Sequence, residues 1–282
     1  MTVQTAVSFE VYPPRSPDKL PGLHDSIRAL DSVSPEFISV TFGAGGSSTR
    51  DSLDVLCFIK DNTHAKPLAH LTCVGTTREE AEGLITSFVE SGITEFLALR
   101  GDLPEGETEH QGELHHAVDL VDLMNKGISH SDSIDRIAVA AFPNGHPEST
   151  SIDEDIETLL TKQSAGATLA ITQLFFYVED YVSFVEKATH AGVTIPILPG
   201  LMPITSPSRL ARVVELTGEK NPRELDDRLQ DTEDPQRRAD IGISWCADMI
   251  RDLVNAGAPG IHLYAFNQHE TVLSALEQAG VR

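Results

Sequence analysis

The sequence predicts an α/β protein: a single (β/α)8 TIM barrel over residues 1–282, with a short helical insertion between strands 7 and 8. Short apolar runs alternate eight times with segments of helical periodicity, an order typical of parallel strands joined by right-handed crossovers. The length of 282 residues suits one such barrel, which usually needs about 250. Several runs also end in charged or amide side chains beside glycine or proline, as strands do at a catalytic barrel rim.

Each predicted strand is a short run of mainly apolar residues bounded by glycine, proline or polar residues. In chain order the predicted strands are Ala6–Tyr12, Phe37–Phe42, Leu68–Val74, Glu95–Leu99, Arg136–Phe142, Leu169–Phe176, Ile195–Leu198 and Gly260–Phe266. An open doubly wound sheet that bound a dinucleotide would need glycines after the first strand. That position holds Pro13-Pro14-Arg15 instead, so the closed barrel is favoured.

The helices are predicted from apolar residues three or four positions apart and from capping residues. Ser47–Thr49 supply caps after the second strand, Thr76 or Thr77 with Glu79 or Glu80 suits a capping box, and Gly166 suits a helix end. The predicted helices lie within Asp18–Val33, Thr49–Asn62, Thr77–Gly92, His115–Asn125, Ile152–Ser164, Glu179–His190, Ser208–Leu216, Ile241–Asn255 and Glu270–Ala279. The polar insertion Gly218–Asp240 is expected to hold one short helix around Arg223–Leu229.

Composition excludes several classes of protein. The net charge of −22 leaves no basic stripe for nucleic acid. The N-terminus lacks a basic leader and no apolar run reaches membrane-spanning length, so a soluble cytoplasmic protein is expected. Cys57, Cys73 and Cys246 are widely spaced without a C-x-x-C pair, which predicts buried free thiols rather than a zinc site or a disulfide framework.

Polar side chains are concentrated near the carboxyl ends of the predicted strands. They are Glu10, Thr41, His70, Thr72, Arg100, Asp102, Asn144, His146, Thr172, Gln173, His262, Tyr264 and Asn267. Many have a structural explanation, since a histidine on a strand is commonly a hydrogen-bonded core residue and Asp102 can cap a turn. Glu10 differs, because burial between Phe9 and Val11 is expected to raise the pKa of its carboxyl group and favour proton donation.

The same residues do not form a hydrolytic or metal site. No G-x-S-x-G elbow is present, and the histidines lack a clean ligand spacing, so no metal is expected. Amides, hydroxyls, one arginine and two acids instead indicate an organic, heteroaromatic ligand held by hydrogen bonds.

Seven motifs together resemble the methylenetetrahydrofolate reductase family, in order along the whole chain. They are Ser8–Arg15, Val40–Ala44, His70–Cys73, Leu99–Asp102, Phe142–Pro143 with His146–Glu148, Ala170–Gln173 with Phe175–Phe176, and Pro199–Gly200. The resemblance implies a barrel that usually binds FAD and reduces 5,10-methylenetetrahydrofolate to 5-methyltetrahydrofolate with NADH or NADPH. In such an enzyme the cofactor carries the hydride chemistry and the protein supplies orientation and electrostatics.

The resemblance also implies roles for individual residues. Glu10 matches the general acid, and Asp102 matches an acid close to the flavin ring and the pterin. Gln173, Phe176 and Tyr264 are expected on the folate side. The positions matching cofactor contacts are Thr41, His70, Leu99, Arg100, Gly101, Asp102, Ala117, His146, Asp155 and Lys162.

The departures from the family pattern fall mainly in the FAD cradle. His116 and Phe142 stand where tyrosines are usual, and Thr158 and Thr161 stand where an asparagine and an arginine hold the adenosine and phosphate part of FAD. Near the eighth strand, Gln268 replaces an arginine. The absence of a phosphate-binding arginine should weaken FAD binding substantially. We therefore expect direct hydride transfer from NAD(P)H, with FAD bound weakly or through other residues as the alternative.

Other functions remain open at this point. A non-catalytic folate- or nucleotide-binding barrel and a proline-oxidising flavoenzyme share the predicted fold. The expected partners are a folate and a nicotinamide nucleotide, with neither nucleic acid nor membrane. No motif decides between NADH and NADPH or between a monomer and a homo-oligomer.

Overall fold

The structure, a computed structural model, describes residues 5–41, 49–101, 112–127 and 133–281. Within these ranges nine parallel strands form one sheet, in the order β7-β6-β5-β4-β3-β2-β1-β9-β8. The strands are β1 (Ala6–Val11), β2 (Phe37–Val40), β3 (Lys66–Thr72), β4 (Glu95–Leu99), β5 (Arg136–Ala141), β6 (Leu169–Thr172), β7 (Ile197–Leu198), β8 (Gly200–Leu201) and β9 (Gly260–Tyr264).

Ten helices of the described residues surround this sheet. They are α1 (Leu20–Asp31), α2 (Thr49–Asn62), α3 (Arg78–Glu90), α4 (Ala117–Asp122), α5 (Ile152–Ala165), α6 (Val178–Ala191), α7 (Pro207–Thr217), α8 (Arg223–Gln230), α9 (Pro235–Asn255) and α10 (His269–Ala279). The predicted α/β barrel class is therefore confirmed.

The run predicted as the seventh strand, Ile195–Leu198, forms β7 over Ile197–Leu198, and Pro199 separates β7 from β8, which lies beyond the predicted end. Proline has no backbone N–H and cannot donate to a ladder. β7 pairs with β6, whereas β8 pairs with β9. Two short pieces of one strand thus bring the sheet around into a nearly closed barrel.

The region after β4 differs from its predicted helix. The helix was expected from His115 to Asn125, but α4 begins at Ala117 and continues after Asp122 as a π-helical turn. The carboxylate of Asp119 accepts hydrogen bonds from the amides of His115 and His116, both at 2.9 Å. This carboxylate fixes the start of α4 by satisfying amides at its N-terminus.

Side chains alternate between the two faces of each strand. One face packs against the helices in the main apolar core, as Phe9 and Val11 do with Leu23 and Ile27. The other face fills the barrel interior, with Phe37, Leu68, Leu97, Ala138, Leu169, Ile171 and Leu198. This apolar interior comes from β2 to β7.

The inward positions of β1 and β9 are polar instead. They hold Ser8, Glu10, His262 and Tyr264, and the register places Glu10 beside Tyr264. The barrel interior is therefore mainly apolar from β2 to β7, and polar side chains enter it from β1, from β9 and, at His70, from β3.

The opposite end of the barrel is closed by a charged group at the starts of β4 and β5. Glu95 is buried, and its carboxylate lies 3.6 Å from Nε of Arg136, which also pairs with Glu36. Burial raises the pKa of the Glu95 carboxyl group, with Arg136 opposing that shift. Glu95 and Glu10 thus lie at opposite ends of the strands.

Helix α8 lies where the insertion was expected to hold a short helix. Its Leu225 and Leu229 are fully buried and pack with Ile204, Leu210 and Phe176 in an apolar cluster beside the barrel. In the described part of the chain, no helix has the length and apolar character needed to cross a membrane.

Leu68→Ala should destabilise the fold, because Leu68 is fully buried in the barrel interior. The expected loss is about 2–5 kcal/mol of unfolding free energy, measured by urea denaturation. The matched control is Leu216→Ala on α7, where the side chain is 64% exposed and a change within about 0.5 kcal/mol is expected. Equal losses in the two variants would contradict this account of the core.

Candidate active site

Glu10 lies inside the barrel between two histidines. Its Oε2 is 3.5 Å from Nε2 of His70 on β3 and 3.9 Å from Nε2 of His262 on β9. The Glu10 side chain is 16% exposed, whereas those of His70 and His262 are 7% and 1% exposed. Solvent or a ligand can therefore reach the carboxylate but scarcely reaches the imidazoles.

The two imidazoles are held differently. His262 Nδ1 lies 2.8 Å from the hydroxyl oxygen of Ser8, and its ring stacks on Phe37. Burial lowers the pKa of His70, with Glu10 opposing the shift and His262 adding to it. Among the described residues, neither Nε2 atom has a hydrogen-bond partner. Both nitrogens are therefore available to a carboxyl group that turns toward them.

Tyr264 forms the neighbouring wall of the site. Its hydroxyl donates to the carbonyl oxygen of Thr172 at 2.8 Å, and the Thr172 hydroxyl accepts the amide hydrogen of Gly200 at 2.8 Å. Burial raises the pKa of the Tyr264 phenol, and Glu10 adds to that shift. A Cβ at Gly200 would lie 2.4 Å from the Thr172 carbonyl oxygen and 2.8 Å from the tyrosine ring, so only glycine fits there.

Gln173 and Phe176, both predicted on the folate side, occupy different surroundings. Gln173 follows β6, is half-buried, and its side-chain oxygen accepts the amide hydrogen of Leu174 at 2.9 Å. Phe176 is 3% exposed and packs in the apolar cluster with Leu210 and Leu225. Gln173 is thus a strand-end amide, whereas Phe176 supports the wall that α7 and α8 cover.

A second polar group follows β4 and β5. Arg100 makes two contacts with the Glu148 carboxylate, one of them at 2.8 Å. Asp155 on α5 is buried and accepts from the His146 amide at 3.1 Å and from the Ser149 hydroxyl at 2.8 Å. The predicted cofactor residues Arg100, His146 and Asp155 therefore lie in one hydrogen-bonded region.

Lys162 belongs to the same region and is 9% exposed. Its ammonium group donates to the Ala140 carbonyl oxygen at 3.0 Å. Burial lowers the pKa of this lysine to about 8, with Asp155 opposing the shift and Arg100 adding to it. An ammonium in this setting is a weaker phosphate ligand than an exposed one, because it already has a carbonyl and a carboxylate beside it.

The remaining predicted cofactor positions are dispersed over several elements. Thr41 follows β2, Leu99 ends β4 and Ala117 begins α4. Gly101 has a φ of 87°, and a Cβ there would lie 3.0 Å from Cβ of Thr72. Asp102, the predicted second acid, falls outside the described residues, as do Phe42 and the caps Ser47 and Ser48.

The surface of α5 that carries the altered cradle positions is acidic. Thr158 and Thr161 are exposed, and the Thr161 hydroxyl donates to the Glu157 carbonyl oxygen within the helix. The acidic residues of α5 are Asp153, Glu154, Asp155 and Glu157, against one basic residue, Lys162. With Arg100 paired to Glu148 and Lys162 buried, this region fits the diphosphate of a resident FAD poorly.

Sequence reasoning did not identify an aromatic pair at the rim. The Tyr12 and Phe266 ring centroids are 6.2 Å apart, and both side chains are more than one third exposed. The Asn267 side chain accepts from the Tyr12 amide at 3.0 Å and donates to the Tyr12 carbonyl at 2.8 Å. Phe266 has a φ of 46°, a conformation that is strained for a bulky residue and that no sequence pattern predicts.

Two surface cavities lie apart from Glu10. One of about 200 Å³ is lined by residues that include Asn144, Asp180 and Lys187, and another of about 250 Å³ lies between α6 and the loop before β9. Neither is lined by Glu10, His70 or His262. The candidate site is therefore assigned by its chemistry, not by cavity volume. No cluster of three or more potential metal ligands occurs in the described ranges.

Fold and site together define a parallel α/β barrel with a carboxyl–imidazole group toward the carboxyl ends of its strands. The profile of the family described as methylenetetrahydrofolate reductase matches residues 2–280. The chain belongs to the methylenetetrahydrofolate reductase family, which confirms the resemblance seen in the motifs.

Individual relatives agree with this assignment. The chain is 35% identical over 277 residues to 5,10-methylenetetrahydrofolate reductase of Pectobacterium carotovorum subsp. carotovorum, covering 98% of this chain and 90% of the relative. The corresponding Escherichia coli (strain K12) protein is 34% identical over 282 residues, with coverages of 99% and 92%. These relatives support an oxidoreductase that acts on methylenetetrahydrofolate.

A solved structure shares the fold. It is a Clostridium thermocellum protein described as binding two copies of 5-methyl-5,6,7,8-tetrahydrofolic acid. Its TM-score is 0.66 at 14% identity, with 98% of this chain and 94% of that chain covered. At this identity the likeness concerns the architecture alone.

Lys162→Met should change how stability depends on pH. The folded pKa of about 8 lies below the ordinary lysine pKa of 10.5, so the unfolded chain holds this proton more tightly. The unfolding free energy of the native protein should therefore rise relative to the variant between about pH 8 and pH 10.5, by about 3 kcal/mol in total.

The measurement is urea unfolding of both proteins across this pH range. Lys126→Met is the control, because the Lys126 side chain is 63% exposed and its removal should leave the pH slope unchanged. If the unfolding free energies of the native protein and of Lys162→Met changed with pH in parallel, the burial of the Lys162 ammonium group would be contradicted.

Proposed function

We propose that this chain reduces 5,10-methylenetetrahydrofolate to 5-methyltetrahydrofolate by direct hydride transfer from NADH or NADPH, with Glu10 as the general acid. The observation that carries the proposal is the Glu10 carboxyl group, inside the barrel and within 4 Å of two buried imidazoles. Membership of the family supplies the reaction. The position of Glu10 supports its assignment as the proton donor.

The proposed role of Glu10 follows from the chemistry of the substrate. A proton given to the nitrogen that leaves the bridging carbon opens the methylene bridge and forms an electrophilic iminium. Hydride from the nicotinamide then adds to that carbon, so each turnover consumes one hydride and one proton. A positioned acid typically contributes about 10²–10⁴-fold to such a step. Asp102, by the resemblance, would stabilise the cation.

The folate is proposed to bind beside Glu10, with Gln173 and Tyr264 at the pterin and Phe176 supporting the adjoining wall. The amide of Gln173 follows β6, and Tyr264 is adjacent to Glu10 in the register of β1 and β9. A heteroaromatic ring with several donors and acceptors suits such amide partners. The C. thermocellum neighbour, described as binding a methylated folate, supports a folate in this fold.

The flavin-independent route rests on the region around α5. A resident flavin must stay bound throughout turnover, whereas a dissociable donor needs only a KM of about 1 μM–1 mM. Four acidic residues and one buried lysine on α5 disfavour tight retention of a diphosphate. We propose that Arg100 and Lys162 face the phosphates of the nicotinamide nucleotide, and that Gly101 lies close to its ring.

The same reaction through bound FAD is the second candidate. It is favoured by the retained positions Arg100, Gly101, His146 and Lys162, which match flavin contacts in the family. In that case the residues predicted as cofactor contacts would hold FAD, and the flavin would supply the hydride. Another barrel oxidoreductase, such as a proline-oxidising enzyme, is separated by assaying proline against methylenetetrahydrofolate.

Glu10→Gln should lower kcat by roughly 10²–10⁴-fold, because an amide cannot donate the required proton. The assay follows NADH oxidation with 5,10-methylenetetrahydrofolate. The matched control is Glu95→Gln, the same change in a buried barrel glutamate at the opposite end of the strands, which should retain turnover. Unchanged turnover in Glu10→Gln would remove Glu10 from the mechanism and would indicate that a different group is the acid.

Initial rates measured against both substrates should give intersecting double-reciprocal lines, because direct transfer needs both substrates bound together. The purified protein should show no flavin absorbance, and added FAD should leave its activity unchanged. Parallel lines, or a yellow protein bleached by NADH without oxygen, would instead establish the FAD-dependent route.

A further inference from the structure

The Ser8 hydroxyl lies within hydrogen-bond distance of both a backbone carbonyl and the His262 ring. A serine hydroxyl has one hydrogen to donate, and the Ser8 oxygen lies 3.5 Å from the Ile261 carbonyl oxygen and 2.8 Å from His262 Nδ1. The carbonyl can only accept. When the hydroxyl donates to it, the serine oxygen accepts the Nδ1 hydrogen, and Nε2 of the neutral ring is left without one.

A bare Nε2 facing Glu10 distinguishes the two forms of the carboxyl group. It accepts a hydrogen bond from a protonated carboxyl, whereas its lone pair repels a carboxylate. Nε2 of His262 is buried, lies 3.9 Å from Glu10 Oε2, and has no hydrogen-bond partner among the described residues. A rotation of the carboxyl group brings the two within hydrogen-bond distance, and the long resting separation leaves the proton free to move to a ligand.

We propose that Ser8 is a positioning residue, which sets the tautomer of His262 so that its Nε2 retains the carboxyl hydrogen of Glu10 between turnovers. This inference rests on the proposed function of Glu10 as the acid. After donation to the substrate, Glu10 is a carboxylate and takes a proton from solvent. Solvent reaches the Glu10 side chain, which is 16% exposed, but scarcely reaches that of His262, which is 1% exposed. His262 therefore accepts a hydrogen bond from the protonated carboxyl group and does not supply the proton itself.

The other groups around Glu10 are compatible with this role. His70 on β3 approaches the same oxygen, and burial lowers the pKa of its ring. Tyr264 on β9 stays a neutral phenol, because burial and Glu10 raise its pKa. Neither residue supplies a fixed positive charge that would pull the proton from Glu10. The tautomer of His262 is therefore the polar feature near Glu10 that Ser8 controls directly.

The first test is the pH dependence of kcat/KM for 5,10-methylenetetrahydrofolate. Activity of the native protein should fall toward high pH, because the proposed step needs the acid form of a proton donor. In Ser8→Ala the ring is free to place its hydrogen on Nε2 and stabilise the carboxylate, so the high-pH limb of kcat/KM should shift to lower pH, with the low-pH rate kept. Ser8→Thr retains the hydroxyl and should keep the high-pH limb of kcat/KM at its native position. An unmoved limb in Ser8→Ala would overturn the proposal.

The second test reads the tautomer directly in the native protein. ¹⁵N NMR of protein labelled at histidine, with the His262 signals assigned by their loss in His262→Asn, should show hydrogen on Nδ1 and none on Nε2. Hydrogen on Nε2 would refute the inference even if Glu10 is the acid. Conversely, full turnover in Glu10→Gln would refute the proposed function itself, so the two failures are distinguishable.

Discussion

A carboxyl group held inside a parallel barrel is the constraint on which the rest of this site depends. An ionised carboxylate is costly to bury unless it is paired, and Glu10 is surrounded by His70, His262 and Tyr264 rather than by a cation. The barrel accommodates it because β1 and β9 turn polar side chains inward, while β2 to β7 provide the apolar interior. His70 on β3 adds a further polar side chain, so Glu10 is bordered by polar groups from β3 and β9.

Glu10 and Glu95, both on barrel strands, show how position decides the role of one residue type. Glu95 lies at the amino ends of the strands beside Arg136, and that charged pair closes the barrel. Glu10 lies toward the carboxyl ends, where the parallel barrel presents its strand-end loops. A fixed guanidinium favours the ionised form of a carboxyl group, whereas imidazoles leave a proton available for transfer. The same side chain is therefore structural at one end and suited to acid chemistry at the other.

The region around α5 holds the residues proposed to contact the nicotinamide nucleotide. Arg100 and Lys162 are present but are engaged with Glu148, Asp155 and the Ala140 carbonyl. A network satisfied in this way loses part of its own hydrogen bonding when a diphosphate enters. Such a cost is compatible with a donor that binds and leaves at each turnover, and it is the physical basis for preferring direct hydride transfer.

The sequence by itself determined the barrel class, the approximate helices and the position of Glu10, because apolar periodicity and strand-end polarity are local signals. It also determined the family, since its motifs follow the family order. Only the tertiary structure decided that Ser8 and His262, 254 positions apart, meet beside Glu10, and that Phe266 adopts a left-handed conformation next to Tyr12. Those contacts depend on how β9 closes against β1 and on Pro199 dividing the seventh strand. Closure of a sheet is a long-range property that no local pattern contains.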